Sequence, residues 1–447
     1  MKSKSAFWLF LIGLGSQTQF HFVGSLGISE LPVLLFAPFL FMVDCRQLKA
    51  DGFMPFLWLA VLACFGCILG AKLNGAPLVF TLKAFAFPYA IFSSTIVFHH
   101  LLRNDFGAVK WFIVGAFLSS IVNIFVFQPE VRTFQGGEIA TGQAAVAAMM
   151  GYALFWSNRI RSLIMLPVSA FYLSTPRLYS VIAPLSSAVI YVLFSKGSGR
   201  SAAAVSLGIA FLIFVGGKKR RTMAKIGRNF FVFTIISIAM LLAISSAYSW
   251  AAPKGMLGED ARVKYYRQTR AGTGLLGLLM GGRMEFFCGL MAAIDKPILG
   301  HGPKAEDKNG YVERYLAKYG TEEDLRNYLN EIKFAERKGN GGYAFIPAHS
   351  YIVSFWVQYG IFGLLLWLYV LYQAILYLRK YAPMVPQWYG YLCAGVCNLM
   401  WDAFFSPFSS RLGVPCMVTC ILFAKAIYER KLTLPYKMEI EAQKAEK

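Results

Sequence analysis

AHSYIVSFWVQYGIFGLLLWLYV, Ala348–Val370, follows a long polar stretch and opens an apolar run that continues to residue 378. A helix crossing a bilayer needs about 20 apolar residues, so this run reads as one span, 350–378. His349 stands at its mouth. It is either a chemical group held at a membrane surface or a polar residue where a helix leaves the lipid. The rest of the chain has to decide between the two.

Composition points to the membrane. Of 447 residues, 57% are hydrophobic, 16% aromatic and 15% charged, with a mean hydropathy of +0.52. Soluble domains carry about 25% charged residues. Twelve apolar segments read as spans: 6–23, 31–43, 53–71, 78–98, 106–127, 139–156, 178–194, 201–217, 229–249, 350–378, 387–405 and 411–428. The first keeps Lys2 and Lys4 ahead of it but has no small-residue cleavage site behind it, so it reads as a retained helix. The second is short, with Pro32 and Pro38 blurring its ends. LIMLPVSAFYL, 163–173, is too short to cross and has Arg159, Arg161 and Arg177 around it, so it reads as re-entrant or interfacial.

The net charge of +21 could be taken for a nucleic-acid signature. Its placement argues otherwise. With the N-terminus inside, the short inner segments hold 22 Lys and Arg and the short outer ones hold 5: Lys72, Arg132, Lys196, Arg200 and Arg411. That bias is the positive-inside rule at work, and the basic loops face anionic lipid. The cysteine pairs 64/67, 393/397 and 416/420 lie inside apolar runs, where small packing residues are expected rather than a disulfide or zinc. The organisation is therefore 1–249 with nine spans, 250–349 as an outer loop, 350–428 with three spans, and 429–447 as an inner tail.

The outer loop carries helix punctuation. RMEFFCGLMAAI, 283–294, spaces Phe286, Phe287, Leu290, Ala293 and Ile294 along one face, and Pro297 and Gly300 end it. YVERYLAKYG, 311–320, closes on Gly320, and Thr321 opens the next helix with Asp324 three residues on. This is a folded cap, and a structured loop of this length is usually functional.

Three side chains stand out for chemistry. His349 is eleven residues from Gly360, about three helical turns, and shares a face with it; glycines there admit a second backbone. A histidine on that packed side, at the water boundary, suits a general base or an anion ligand. Arg200, in FSKGSGRSAAAV, sits among small residues at a helix N-terminus, a place that suits phosphate or lipid headgroups. Arg283 heads the amphipathic helix and suits a bidentate phosphate contact or a pairing with Glu285. Lys83, Arg132 and Asp402 are lesser candidates near the outer face, with His301 after the amphipathic helix. His21, His99 and His100 read as boundary residues. There is no P-loop, no paired-Asp metal motif and no His/Cys cluster at metal spacing. No metal and no cofactor are expected.

Taken in order, SGRSAAAV, GRMEFFCGLMAAIDKPILGHGP and AHSYIVSFWVQYGIFGLL resemble the motifs of the O-antigen ligase and Wzy-type polysaccharide polymerase superfamily. Ser350 stands where that family has Asn. The resemblance implies an all-α polytopic membrane protein of about twelve transmembrane helices, GT-C-like, with a large periplasmic loop, in the bacterial inner membrane with its site on the periplasmic face. It implies a metal-independent glycosyltransferase. The donor would be an undecaprenyl-pyrophosphate-linked oligosaccharide and the acceptor a carrier-linked repeat unit or lipid A–core. Partners would be membrane lipids and a chain-length regulator, not nucleic acid. Arg200 and Arg283 would steady the leaving diphosphate and His349 would take or orient the acceptor proton. Arg132, Lys83, Asp402 and Ser350 would bind substrate. A transporter of lipid-linked glycans and a membrane scaffold are the readings of other classes. Broken helices meeting at mid-membrane would favour the transporter.

Overall fold

The computed structural model describes residues 2–16, 19–21, 25–122, 242–243, 246–269, 283–320, 322–337, 345–381, 392, 395–396, 399–400, 402–404 and 412–445. Within them the chain is mostly helical: α1 Lys2–Leu14, α2 Glu30–Ala50, α3 Met54–Leu73, α4 Leu78–Leu102 and α5 Val109–Val122. Then follow α6 Glu259–Thr269, α7 Met284–Asp295, α8 Tyr311–Tyr319 and α9 Glu322–Arg337. Last come α10 Tyr351–Tyr359, α11 Ile361–Leu376 and α12 Gly413–Ala445. α2, α3 and α4 are each long and apolar enough to cross a membrane. By length and composition, the described part is a mostly helical protein with three helices able to cross a membrane.

Three expected spans change shape. The helix expected over 6–23 ends at Leu14, where the glycine-flanked turn Gly15–Ser16 stops it and Ser16 Oγ donates to Gly13 O at 2.6 Å. Gln19–His21 (β1) and Ser25–Gly27 (β2) then pair antiparallel, with Phe20 opposite Leu26. The segment expected over 31–43 is longer, because α2 runs through Pro38 to Ala50. Pro32 falls in the first turn, where its missing N–H costs nothing, and Pro38 removes only one bond of a 21-residue helix. The run expected over 350–378 is two helices. Gly360 breaks it with φ 63 and ψ −149, a conformation essentially confined to glycine. α3 and α4 fall within a few residues of expectation.

α2 and α3 each lie along α4, α1 crosses α5, and α11 and α12 close the bundle against α3 and α4. α2 turns Leu35, Phe36, Phe39, Met42 and Val43 outward, an apolar face suited to lipid. Two apolar cores result. One fills the bundle, with Phe56, Phe98, Leu366 and Trp367. The other joins α7 and α8 in the loop, with Cys288, Ala292, Tyr311 and Leu316. α10 belongs to both: Tyr351, Ile352, Phe355 and Tyr359 face the bundle core, while Val353 and Val357 face the loop core.

The histidines read as boundary residues on α4 are a correction. His99 is fully buried, and its Nε2 lies 2.9 Å from Asp51 Oδ2. Arg430 of α12 and Gln47 of α2 complete the shell of Asp51. His100 Nδ1 is 2.6 Å from Asp44, which Arg103 also pairs. Both carboxylates are about 1% exposed at the side chain. Burial pushes the Asp51 carboxyl up, but the bonds from His99 and Gln47 and the charge of Arg430 outweigh it and hold it below its ordinary value. A buried carboxylate is tolerated when paired in this way. The cluster staples α2, α4 and α12 at the end away from the α3–α4 turn.

Candidate functional site at the loop and bundle junction

The loop unit docks on the α3–α4 turn. Asn74 Nδ2 donates to Gly300 O at 3.5 Å and Lys296 Nζ donates to Asn74 Oδ1 at 2.8 Å. At the α10–α11 break, Ile361 N donates to Ile298 O at 3.0 Å and His301 N to Val357 O at 2.6 Å. Residues 297–301 are thus bonded into the break. His301 is buried, and its Nε2 donates to Ala292 O at 2.8 Å. Burial moves its pKa down, with the Lys296 charge adding to that and the Ala292 bond opposing it. His301 ends α7, a structural task.

Asp307 organises the other side of the loop core and was missed in the sequence. Its buried carboxylate accepts from Tyr311 N at 2.8 Å and Val312 N at 2.9 Å, satisfying the first amides of α8. An acid three residues before the helix-opening Gly310 was the available signal. Gly320 closes α8 as expected, although its backbone is extended rather than left-handed. Thr321 lies outside the described residues.

α7 and α10 together bring the candidate side chains to one place. Arg283 is the N-cap residue of α7, half-buried, and its carbonyl accepts from Phe286 N at 3.0 Å. Desolvation lowers its pKa and Glu285 opposes that. Glu285, one residue inside the helix, places Oε2 3.5 Å from His349 Nδ1. Glu285 thus faces the histidine, and its charge also acts on Arg283. Gly289, one turn on, permits this closeness: a Cβ there would lie 2.8 Å from Pro347 O. Cys288 is buried and its thiol is pushed up to about 12, by burial first and then by Asp307 and Glu285; it is a packing residue.

His349 itself is not on a packed helical face. It is the last residue of the non-helical stretch 345–349, and its side chain is 48% exposed. The helix starts one residue later. Ser350 is the N-cap: its Oγ accepts from Val353 N at 3.2 Å and donates to Ala403 O at 2.7 Å. Asp402 adjoins that anchoring residue and is partly buried. Arg283, Glu285, His349 and Ser350, with Asp402 beside the anchor, thus gather at one junction. Exposure leaves the imidazole reachable, with Nδ1 toward a carboxylate and Nε2 on the other edge of the ring. That orientation suits proton transfer at Nε2.

Lys83 is separate. It lies half-buried on α4, one turn after Phe80, whose ring meets that of Phe345 edge-on at 6.1 Å. Arg132 and Arg200 lie outside the described residues, as do the segments 139–156, 163–173, 178–194 and 201–217. Among the described residues no group of three or more His, Cys, Asp or Glu side chains could hold a metal ion. Comparison of the chain with protein-family models, with curated proteins and with solved structures finds no match.

Proposed function

We propose that this chain is a polysaccharide polymerase. In this reading it moves a glycan from an undecaprenyl-pyrophosphate carrier to the acceptor sugar of another carrier-linked repeat unit. The observation that carries the reading is the Arg283–Glu285–His349 constellation where a folded loop meets a broken helix. The acceptor oxygen attacks the anomeric carbon, and the bond from that carbon to the diphosphate oxygen breaks with its electron pair leaving on the diphosphate. His349 Nε2 takes the acceptor proton. Glu285 holds the ring by Nδ1, and Arg283, joined by Arg200, meets the charge growing on the diphosphate. No metal is needed. The reading includes a GT-C-like architecture of about twelve spans in a bacterial inner membrane, with the site on the periplasmic face. It also leaves a place for a chain-length regulator.

The test is the chain-length distribution of surface glycan in a deletion strain. The strain is complemented with wild type, His349→Ala, Arg283→Ala or Arg200→Ala at matched protein level. Single repeats on lipid A–core without ladders support a polymerase. Carrier-linked polymer with none on lipid A–core assigns a ligase instead. Normal ladders in all three variants overturn the constellation and return the transporter and scaffold readings.

A further inference from the structure

At the end of the bundle away from the loop unit, one buried histidine has a nitrogen to spare. His99 is fully buried, and its Nε2 donates to Asp51 Oδ2 at 2.9 Å. A carboxylate only accepts, so Nε2 carries the hydrogen and Nδ1 is the bare nitrogen. Nδ1 is itself buried and has no hydrogen-bond partner among the described residues. Aromatic rings box it in: His99 stacks on Phe423 at 5.3 Å and meets Phe53 edge-on at 4.8 Å. One donor is enough to hold Asp51. The second nitrogen adds a buried lone pair that works against the fold, and what it offers in return is basicity.

The charges around the ring are already matched. On the α2 and α4 side, Asp44 is taken by His100 and Arg103. On the α12 side, Lys425 pairs with Glu429 at 3.8 Å, and Arg430 holds the second oxygen of Asp51. Asp105 lies in the turn that leads to Phe106, and α3 opens with the apolar Met54–Leu57. A proton on Nδ1 turns His99 into a second cation on the carboxylate that holds Arg430. Two cations then share one negative charge, and Arg430, with 60% of its side chain exposed, is the partner that can leave into water. His99 is sealed, but Arg430 and the partly exposed His100 open the cluster to solution at this end. The positive-inside rule gives this end, with Arg46, Lys49 and Arg103, to the inner face. We infer that His99 Nδ1 is a proton-binding site for the inner compartment, and that its occupation loosens the inner half of α12 from α2 and α4. α12 continues past Arg430 to Ala445, so the release acts on a helix that reaches beyond the bundle. The inference does not depend on the transfer reading.

Histidine changes charge between about pH 5 and 8. Asp51, held below its ordinary value, stays ionised across that window. The test follows full-length protein in phosphatidylcholine nanodiscs through the window, by NMR of isotope-labelled histidine rings and by amide hydrogen exchange corrected for intrinsic rate. The His99 signal, identified by its loss in His99→Gln, should shift. Amides around Phe423–Arg430 should exchange about 10-fold faster at the acid end, about 1.4 kcal/mol of local opening. His99→Gln keeps a donor for Asp51 but cannot titrate, and should abolish the difference. His100→Gln should retain it, and Arg430→Gln should exchange fast at both ends. A His99 signal in wild type that does not move overturns the proton site, even if His99→Gln fails to fold. Wild-type exchange equal at both ends overturns the release and leaves a static staple. The wild-type difference persisting in His99→Gln overturns the link and assigns it to another group.

Discussion

Gly360→Ala is the sharpest perturbation of this fold. Its φ of 63 and ψ of −149 put it in a region that costs a non-glycine residue about 1–3 kcal/mol. A Cβ built there lies 2.0 Å from Ile298 O and 2.7 Å from the Leu299 carbonyl carbon, both backbone atoms that cannot rotate aside. Relief requires the turn at 298–299 to retreat by more than an ångström. That retreat breaks the Ile361 N to Ile298 O bond, about 1 kcal/mol more. The expected loss is about 2–4 kcal/mol. Gly75→Ala is the control: its φ is also positive, at 65, but its Cβ meets nothing within 4 Å, so it should lose only about 1–2 kcal/mol. The assay is denaturant unfolding in mixed micelles, followed by tryptophan fluorescence, with both variants side by side. A Gly360→Ala loss no larger than that of Gly75→Ala would refute the claim that the loop is locked into the helix break.

The remaining predictions follow from the two ends of the bundle. Asp51→Ala strands the fully buried His99 and should cost about 3 kcal/mol in the same unfolding assay. The Asp51 carboxyl is held low in the fold, so its stabilisation is complete above the unfolded value of about 3.9 and is lost as pH falls through the lower folded value. Wild-type stability should therefore fall more steeply than that of Asp51→Asn below about pH 4. On the transfer reading, His349→Ala should lower turnover about 10²–10⁴-fold, with Glu285→Gln intermediate; wild-type turnover in Glu285→Gln would remove the carboxylate from the mechanism. Ser350→Ala loses a cap bond and the tie to Ala403, and should cost about 1–2 kcal/mol.

Hydropathy alone placed α3 and α4, because an apolar run bounded by turns leaves little choice in a bilayer. Amphipathic spacing with Pro and Gly punctuation placed α7 and α8. The α10–α11 break was not legible. Gly360 looks like any glycine in an apolar run, and its conformation is imposed by Ile298, sixty-two residues earlier. β1 and β2 were hidden because Phe20, Phe22 and Val23 around His21 are apolar enough to pass for the end of a span, and only the Gly13–Ser16 region interrupts it. At the junction, residue types mark His349 and Arg283, but spacing offers Glu285 only the nearer arginine as an alternative partner. A side chain at an exposed helix start reaches across to another strand as easily as along its own turn, and only tertiary approach at Gly289 decides which. The His99–Asp51 pairing was unreadable for a similar reason: polar residues at the ends of apolar runs are ordinary, and their partners lie far off in sequence.

α10 has one face in each apolar core. A helix shared in this way makes the loop and the bundle one cooperative unit, with no seam along which either can melt first. Deleting 283–349 would strip Val353 and Val357 of their cover and leave apolar side chains facing water. The loop is therefore not a removable ornament. Proteases that nick its surface should meet resistance at α7 and α8 until the bundle itself opens, and the protein should be lost in a single event rather than shed in layers.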